Sequence, residues 1–186
     1  MTNSDNRSPI ELEKFQLVYA PHQALEKKVD PFPEGSPEYR SKIARHMARI
    51  MEEYKGIGLA ANQINLNHSV HVQMVQDEMV AMFNPQIHEI SEDLVLMSEG
   101  CLSDPGLQLK VKRPDMIKAS WEDANGERTY ETLFGMDCRV FLHEFDHLQG
   151  IMFTDRVGKT KLQMARKKQA ARMERAAQRI MANMKL

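Results

Sequence analysis

Apolar residues recur at spacings of three and four through "GSPEYRSKIARHMARIMEEYKGIGLA", where Tyr39, Ile43, Met47, Ile50 and Tyr54 form one stripe. That period predicts an amphipathic helix. Ser36 is a suitable N-cap, Pro37 suits the first turn, and Gly56 stands where the helix should end. The pattern then turns extended. "SVHVQMVQ" and "MVAMFNPQI" read as strands joined near Asp77–Glu78, with Asn84-Pro85 breaking the second. "EDLVLMSEGCLS", "LQLKVKRPDMIKASWED" and "RTYETLF" continue it, and Asn125-Gly126 is the strongest short-range hairpin signal. After Gly135, "MDCRVFLHEFDHL" returns to helical spacing, with Gly150 at the position of a C-terminal cap, and a third helix begins near Lys159. Helix, several mostly antiparallel strands and helix predict an α+β fold. The expectation is a single domain with its strands packed around a central helix, followed by a C-terminal amphipathic basic helix.

Composition sharpens the last element. The 186 residues suit one domain with a substantial core. The formal charge is only −1, which excludes a global bias toward nucleic acid or membrane. The bias is local: from Arg156 to Leu186 there are ten Lys or Arg against Glu174, a net of +9 that leaves −10 on the first 155 residues. The chain therefore divides into a body, residues 1–158, and a basic helix, residues 159–186. Two cysteines, Cys101 and Cys138, do not make a disulfide scaffold. The opening "MTNSDNRSPIELE" lacks the order of a secretory signal or the arginine-rich character of a transit peptide, and no apolar run is long enough to span a bilayer. A cytoplasmic, reduced protein is expected.

Candidate chemistry centres on "HEFDHLQG". On a helix His143 and His147 share a face and can reach one ion, while Glu144 sits about 100° round, placed to move protons rather than to ligate. The bland alternative is two surface histidines on an amphipathic helix. A third ligand decides the class. The extended motif that ends in a third histidine fails, because Phe153 occupies that position. Glu174 lies downstream, but Arg172 and Arg175 flank it, the setting of an ion pair. Cys138 is on the same helix about 140° from His143, which suits core packing. Cys101 stands in the polar turn "SEGCLSDPG", and one cysteine with two histidines is a sound catalytic set that leaves a coordination position open.

Three stretches in order, "GIGLAANQ" (56–63), "EGCLS" (99–103) and "HEFDH" (143–147), resemble the signature motifs of peptide deformylases. The likeness extends to "NPQI", "VKRP" and "HLQGIMFTDR", from about Phe15 to Arg156. The resemblance implies removal of the formyl group from N-formylmethionyl nascent chains. It implies that Cys101, His143 and His147 bind one divalent metal, Fe²⁺ in the cell, with Zn²⁺, Ni²⁺ or Co²⁺ able to replace it. Hydroxide generated at the ion would attack the formyl carbon, with Glu144 as general base and then acid. Gln63 and the backbone N–H of Leu102 would form the oxyanion hole. Gly58 would contact substrate backbone, and Ile57 and Val140 would line a pocket for the methionine side chain. Behind the ligands, Arg113 and Asp146 would form an ion pair. Rival readings are a general metallopeptidase that takes Glu174 as third ligand, and a catalytically silent deformylase-like module that binds ribosomes.

Four positions depart from the family pattern. Asn62 replaces a proline or small residue, a change that should be tolerated at the cost of a looser loop. Asp104 stands where an apolar residue is common, and a carboxylate at the cleft mouth would disfavour acidic residues early in the substrate. Leu142 and Cys138 replace residues commonly glutamine and alanine. In the basic tail, Leu162, Ala165, Met173, Ala176, Ala177, Ile180 and Met184 can share one side of a helix, with cations opposite. Packing on the body, a membrane surface and RNA all suit such a helix. By resemblance it would dock on the ribosome, and no specific DNA contact is expected.

Overall fold

The computed structural model describes residues 12–183, so Met184 and its predicted place on the tail's apolar side lie outside the described residues. Helix α1 runs Pro37–Glu53, and the Ser36 side chain accepts the Tyr39 N–H at its start. Its stop differs from expectation. Lys55, not a glycine, takes the left-handed conformation (φ 56°), while the Gly56 N–H returns to the Met51 carbonyl at 2.8 Å. Ile43, Met47 and Ile50 are buried as the stripe predicts, but Tyr54 emerges at the helix end and is 43% exposed.

Strands β1 (Gly58–Ala60), β2 (Val70–Val75), β3 (Glu78–Ile90), β6 (Met116–Glu122) and β7 (Arg128–Phe134) form one antiparallel sheet in the order β1-β2-β3-β6-β7. Strands β4 (Leu94–Cys101) and β5 (Asp104–Pro114) form a separate hairpin. The α+β expectation holds: α1 and α2 (Gly135–Leu148) both pack on the sheet, and α3 (Lys159–Asn183) packs on β5.

Two strand expectations need correction. Asn84-Pro85 does not break β3 but bulges it. Asn84 adopts φ 48° and the register slips between Phe83 and Gln86. Its amide pairs with the backbone of Phe32, accepting from the N–H at 2.7 Å and donating to the carbonyl at 3.1 Å. The side chain thus ties the bulge to the segment before α1, while the Asn84 N–H donates to the Ser69 carbonyl at 2.8 Å. The single extended run from Leu107 to Asp123 is two strands in two sheets, parted after Pro114, which has no N–H with which to continue a ladder.

The core has two main parts. α1 seals Leu59, Val70, Val72 and Phe83 on one side, and Cys138, Phe141 and Leu142 of α2 cover Met82, Ile117, Trp121 and Leu133. Cys138 is fully buried here, as its helical angle predicts. Gly150 ends α2 with φ 74°, and a β-carbon there would meet the Lys27 carbonyl carbon at 2.7 Å, so the N-terminal segment crosses directly over it.

α3 departs from the predicted single apolar side. Leu162 and Ala165 pack against Leu109, Val111 and Phe153, but residues 170–181 are exposed all round, Met173 and Ile180 included.

Candidate functional site

A cleft of about 870 Å³ lies between the α1–β1 connection, the β4–β5 hairpin and α2. Its floor holds the residues that three separate motifs supply. The Cys101, His143 and His147 ligand atoms lie within 4.8 Å of one another, with Cys101 Sγ 3.2 Å from His147 Nε2. Two elements position them. His143 and His147 lie one turn apart on α2, edge to face (ring centroids 5.0 Å), and Cys101 ends β4, just before the two-residue turn Leu102–Ser103. The donor set fits a transition metal: one thiolate and two imidazoles, with room in the cleft for a fourth partner.

Glu144 is buried beside this cluster, against β1. A β-carbon on Gly58 would fall 2.4 Å from its Oε1 and 2.7 Å from Val140, so only glycine leaves space for it. Oε2 makes no hydrogen bond. Burial pushes the Glu144 carboxyl up to about 7, the charge of Glu99 acting with it and those of His143 and Arg113 against it. A carboxyl so placed can both take and return a proton near neutrality.

Past the end of the same strand, Gln63 is immobilised. Its Oε1 accepts the Ala60 N–H at 2.8 Å, which fixes Nε2 as the outward donor, 3.2 Å from Ser103 Oγ and 3.4 Å from Cys101 Sγ. Leu102 lines the same wall. Ile57 and Val140 both line the cleft, Val140 buried and Ile57 half exposed at the rim.

Behind the ligands lies a charge network that sequence reasoning only half anticipated. Arg113 Nη1 donates to Asp146 at 2.6 Å, and Arg156 braces the same carboxylate. Arg113 also forks onto Glu99 (2.7 and 3.0 Å), Arg139 donates to Glu99 at 2.9 Å, and His143 Nδ1 donates to it at 3.0 Å. Glu99 thereby fixes the tautomer of His143 and leaves Nε2 for the cluster. Burial alone would raise the Glu99 pKa; hydrogen bonds from His143 and Arg113, with the Arg113 charge, hold it well below the usual carboxylate range. Burial likewise disfavours a charged His143, yet bonds to Cys101 and Glu99 and the surrounding negative charge carry it up to about 10. His147, one turn on, is shifted the opposite way: burial and the charges of His143 and Arg113 hold its pKa well below the usual imidazole value. Glu99 stands within the cysteine motif, but nothing in a strand's pattern shows that arginines 14 and 40 residues away converge on it. Arg139 and Ser103 carry no such signal either.

Two departures acquire different meanings. Asn62 does not loosen its loop: it is buried, and its amide ties the Ala24 carbonyl (3.2 Å) to the His147 carbonyl at the end of α2. Asp104 does not face the cleft. It is buried under α3, bonded to Arg166 at 2.6 Å and Gln169 at 3.0 Å. Glu174 is exposed on α3, accepts the Gln178 amide alone among the described residues, and does not line the cleft.

Comparison with known proteins agrees with this architecture. The sequence profile of the polypeptide deformylase family matches residues 14–163. Peptide deformylase of Thermotoga maritima is 37% identical over 144 residues, 77% of this chain and 87% of that protein. The chloroplastic peptide deformylase 1B of Oryza sativa subsp. japonica is 37% identical over 129 residues, 67% of this chain and 48% of that one. Among solved structures, the Thermotoga maritima peptide deformylase superposes with TM-score 0.75 at 34% identity, covering 77% of this chain and 97% of that one. A peptide deformylase of Synechococcus elongatus in complex with actinonin does so with TM-score 0.78 at 32% identity, covering 91% of each. The fold and these matches define an α+β hydrolase from a metal-dependent class. The chain belongs to the peptide deformylase family, whose members deformylate nascent chains.

Proposed function

We propose that this chain hydrolyses the formamide of N-formylmethionyl nascent peptides at one divalent ion held by Cys101, His143 and His147. The observation that carries the reading is the placement of Glu144: a buried carboxyl next to the ligand cluster, in a cleft that the fixed amide of Gln63 also lines. When bound, the ion supplies Lewis acidity, lowering the pKa of a water and polarising a carbonyl. Glu144 takes the proton of the attacking water and later delivers it to the departing amine nitrogen, so that formate and a free N-terminus result. Gln63 Nε2, with the Leu102 N–H, donates to the formyl oxygen as it gains charge. Gly58 offers backbone to the peptide, and Val140 and Ile57 flank the methionine side chain. Glu99, Arg113 and Asp146 hold His143 and α2 in place. A thiolate with two imidazoles suits a transition metal; by resemblance to the family that ion would be Fe²⁺ in the cell, with Zn²⁺, Ni²⁺ or Co²⁺ able to replace it in isolated protein.

Anaerobic release of formate from formyl-Met-Ala-Ser by the iron-loaded protein tests this. Glu144→Gln should lower kcat by about 10²–10⁴-fold, and Cys101→Ala should abolish stoichiometric metal. Equal formate release by wild type and Glu144→Gln would overturn the mechanism.

We propose further that α3 docks on the ribosome. Lys167, Lys168, Arg175 and Arg179 stand on its exposed surface, in a segment of net charge +9. Phosphate contacts of that kind weaken steeply with salt. Removal of residues 161–186 should abolish co-sedimentation with ribosomes at low salt; unchanged co-sedimentation would refute docking. Among the described residues no helix is long and apolar enough to cross a membrane.

A further inference from the structure

Apart from the phenols of Tyr19 and Tyr54, the ionisable groups of the cleft fall into two sets and a remainder. Cys101, His143 and Glu144 belong to the reaction centre. Glu99 and Arg139 also line the cleft, but each is spoken for: Glu99 accepts from two guanidinium groups and His143, and Arg139 donates to Glu99 and to the carbonyls of Val111 and Val95. Both are almost wholly buried. The remainder is Lys55. It is exposed on the rim, beside the half-exposed phenols of Tyr19 and Tyr54, and it forms no ion pair among the described residues.

Its position is not accidental flexibility. The residue holds the left-handed turn that ends α1 (φ 56°), its N–H donates to Glu52 at 2.9 Å, and the following Gly56 is tied to Met51. The backbone therefore fixes where the side chain starts. Neighbouring acids do not neutralise it inside the cleft. Glu53 lines a separate groove with Leu12, Phe15, His46 and Arg49, and Glu52 does not line the cleft. Asp104, the carboxylate that the sequence placed at the mouth, is held under α3 instead. Among the residues that line the cleft, the rim thus carries the Lys55 ammonium where the sequence alone predicts a carboxylate.

We infer that Lys55 is a specificity-determining residue that favours formylated peptides with an acidic side chain one or two residues after the methionine. The inference rests on the deformylase reading above. A peptide whose formyl group lies at the cluster and whose first side chain lies along Val140 must leave the cleft past its mouth. There its next side chains meet the Lys55 ammonium, with Tyr19 and Tyr54 as an aromatic ledge. Attraction at such an exposed site is modest and is screened by salt.

The test compares kcat/KM for formyl-Met-Asp-Ser, formyl-Met-Ala-Ser and formyl-Met-Lys-Ser with the metal-loaded full chain. At low salt the aspartyl peptide should exceed the alanyl one by about two- to five-fold, with the lysyl peptide below it by a similar factor. At about 0.5 M salt the three should converge. Lys55→Glu should reverse the Asp-to-Lys ratio, and Lys55→Met should bring it close to one. Equal turnover of all three peptides by the wild type, or an unchanged ratio in Lys55→Glu, overturns the inference and leaves deformylation standing. Turnover of none of them overturns the deformylase reading itself, and the inference with it.

Discussion

Gly58 and Glu144 are packed so closely that a single methyl group on residue 58 would fall 2.4 Å from the carboxylate. The strand therefore acts as the wall that holds the proton carrier in place. Gly58→Ala should displace Glu144 and Val140 together. Overpacking of this kind costs about 1–3 kcal/mol, while a shift of about 1 Å in a reacting group costs about 10²-fold in rate. The expected variant is folded, binds metal and is about a hundredfold slower in formate release; full activity would show that Glu144 is not held by this contact.

Gln63 should behave as an oxyanion donor rather than as a packing residue. Its carbonyl end is fixed by Ala60, so the amide end cannot flip without losing that bond. Gln63→Ala should lower kcat by about 10²–10³-fold. Substrate inhibition constants of ground-state analogues should move far less than kcat, and an equal loss in both would assign Gln63 to ground-state binding.

Arg166 and Gln169 reach from α3 to the buried Asp104, so the helix and the hairpin turn should be energetically coupled. Arg166→Met leaves a buried carboxylate with one partner fewer, and hydrogen bonds to charged groups contribute about 1.5–3 kcal/mol each. Denaturant titration of Asp104→Ala, Arg166→Met and the double variant should give a coupling energy of about 0.5–3 kcal/mol. Strict additivity would mean that the contact does not stabilise the fold.

Glu122 provides a pH test remote from the cleft. It accepts from Arg40 and Arg128 at 2.8 Å each, and from Asn84. Burial opposes its ionisation, but these bonds and the Arg40 charge outweigh burial and hold its pKa below the ordinary 4.5. A carboxylate with a depressed folded pKa stabilises the fold fully above its unfolded pKa, and that contribution disappears as pH falls through the folded value. Thermal stability should therefore decline as pH drops below about 4.5, and Glu122→Gln should show a shallower decline. Parallel pH profiles would place the acid-sensitive group elsewhere.

Much of the cleft is legible in the sequence because it depends on local periodicity. The i,i+4 pair His143 and His147, the intervening Glu144 and the stop at Gly150 all follow from helical geometry. Cys101 is legible by elimination and by its polar turn. What escapes is whatever depends on distant chain segments meeting. Asn84 looks like a strand breaker until its amide is seen to pair with Phe32. Glu99 looks like an ordinary strand acid until two arginines close on it. Asp104 and Asn62 look like liabilities because a solitary polar residue gives no sign of its partners, and both prove to be buried and bonded. The tail's even apolar spacing misleads for the opposite reason: periodicity states which side could pack, not how far along the helix there is anything to pack against.

The Asp104 arrangement also bears on how such chains diverge. The carboxylate belongs to the hairpin turn next to Leu102 and Ser103, while its partners lie more than sixty positions later. Neither end can be exchanged freely. A descendant that shed its last helix would inherit an orphaned charge beside its most sensitive turn, and one that first replaced Asp104 with an apolar residue would strand Arg166. Positions 104, 166 and 169 should therefore co-vary across relatives, acidic with basic and amide or apolar with neither, even where the rest of the tail has drifted beyond alignment.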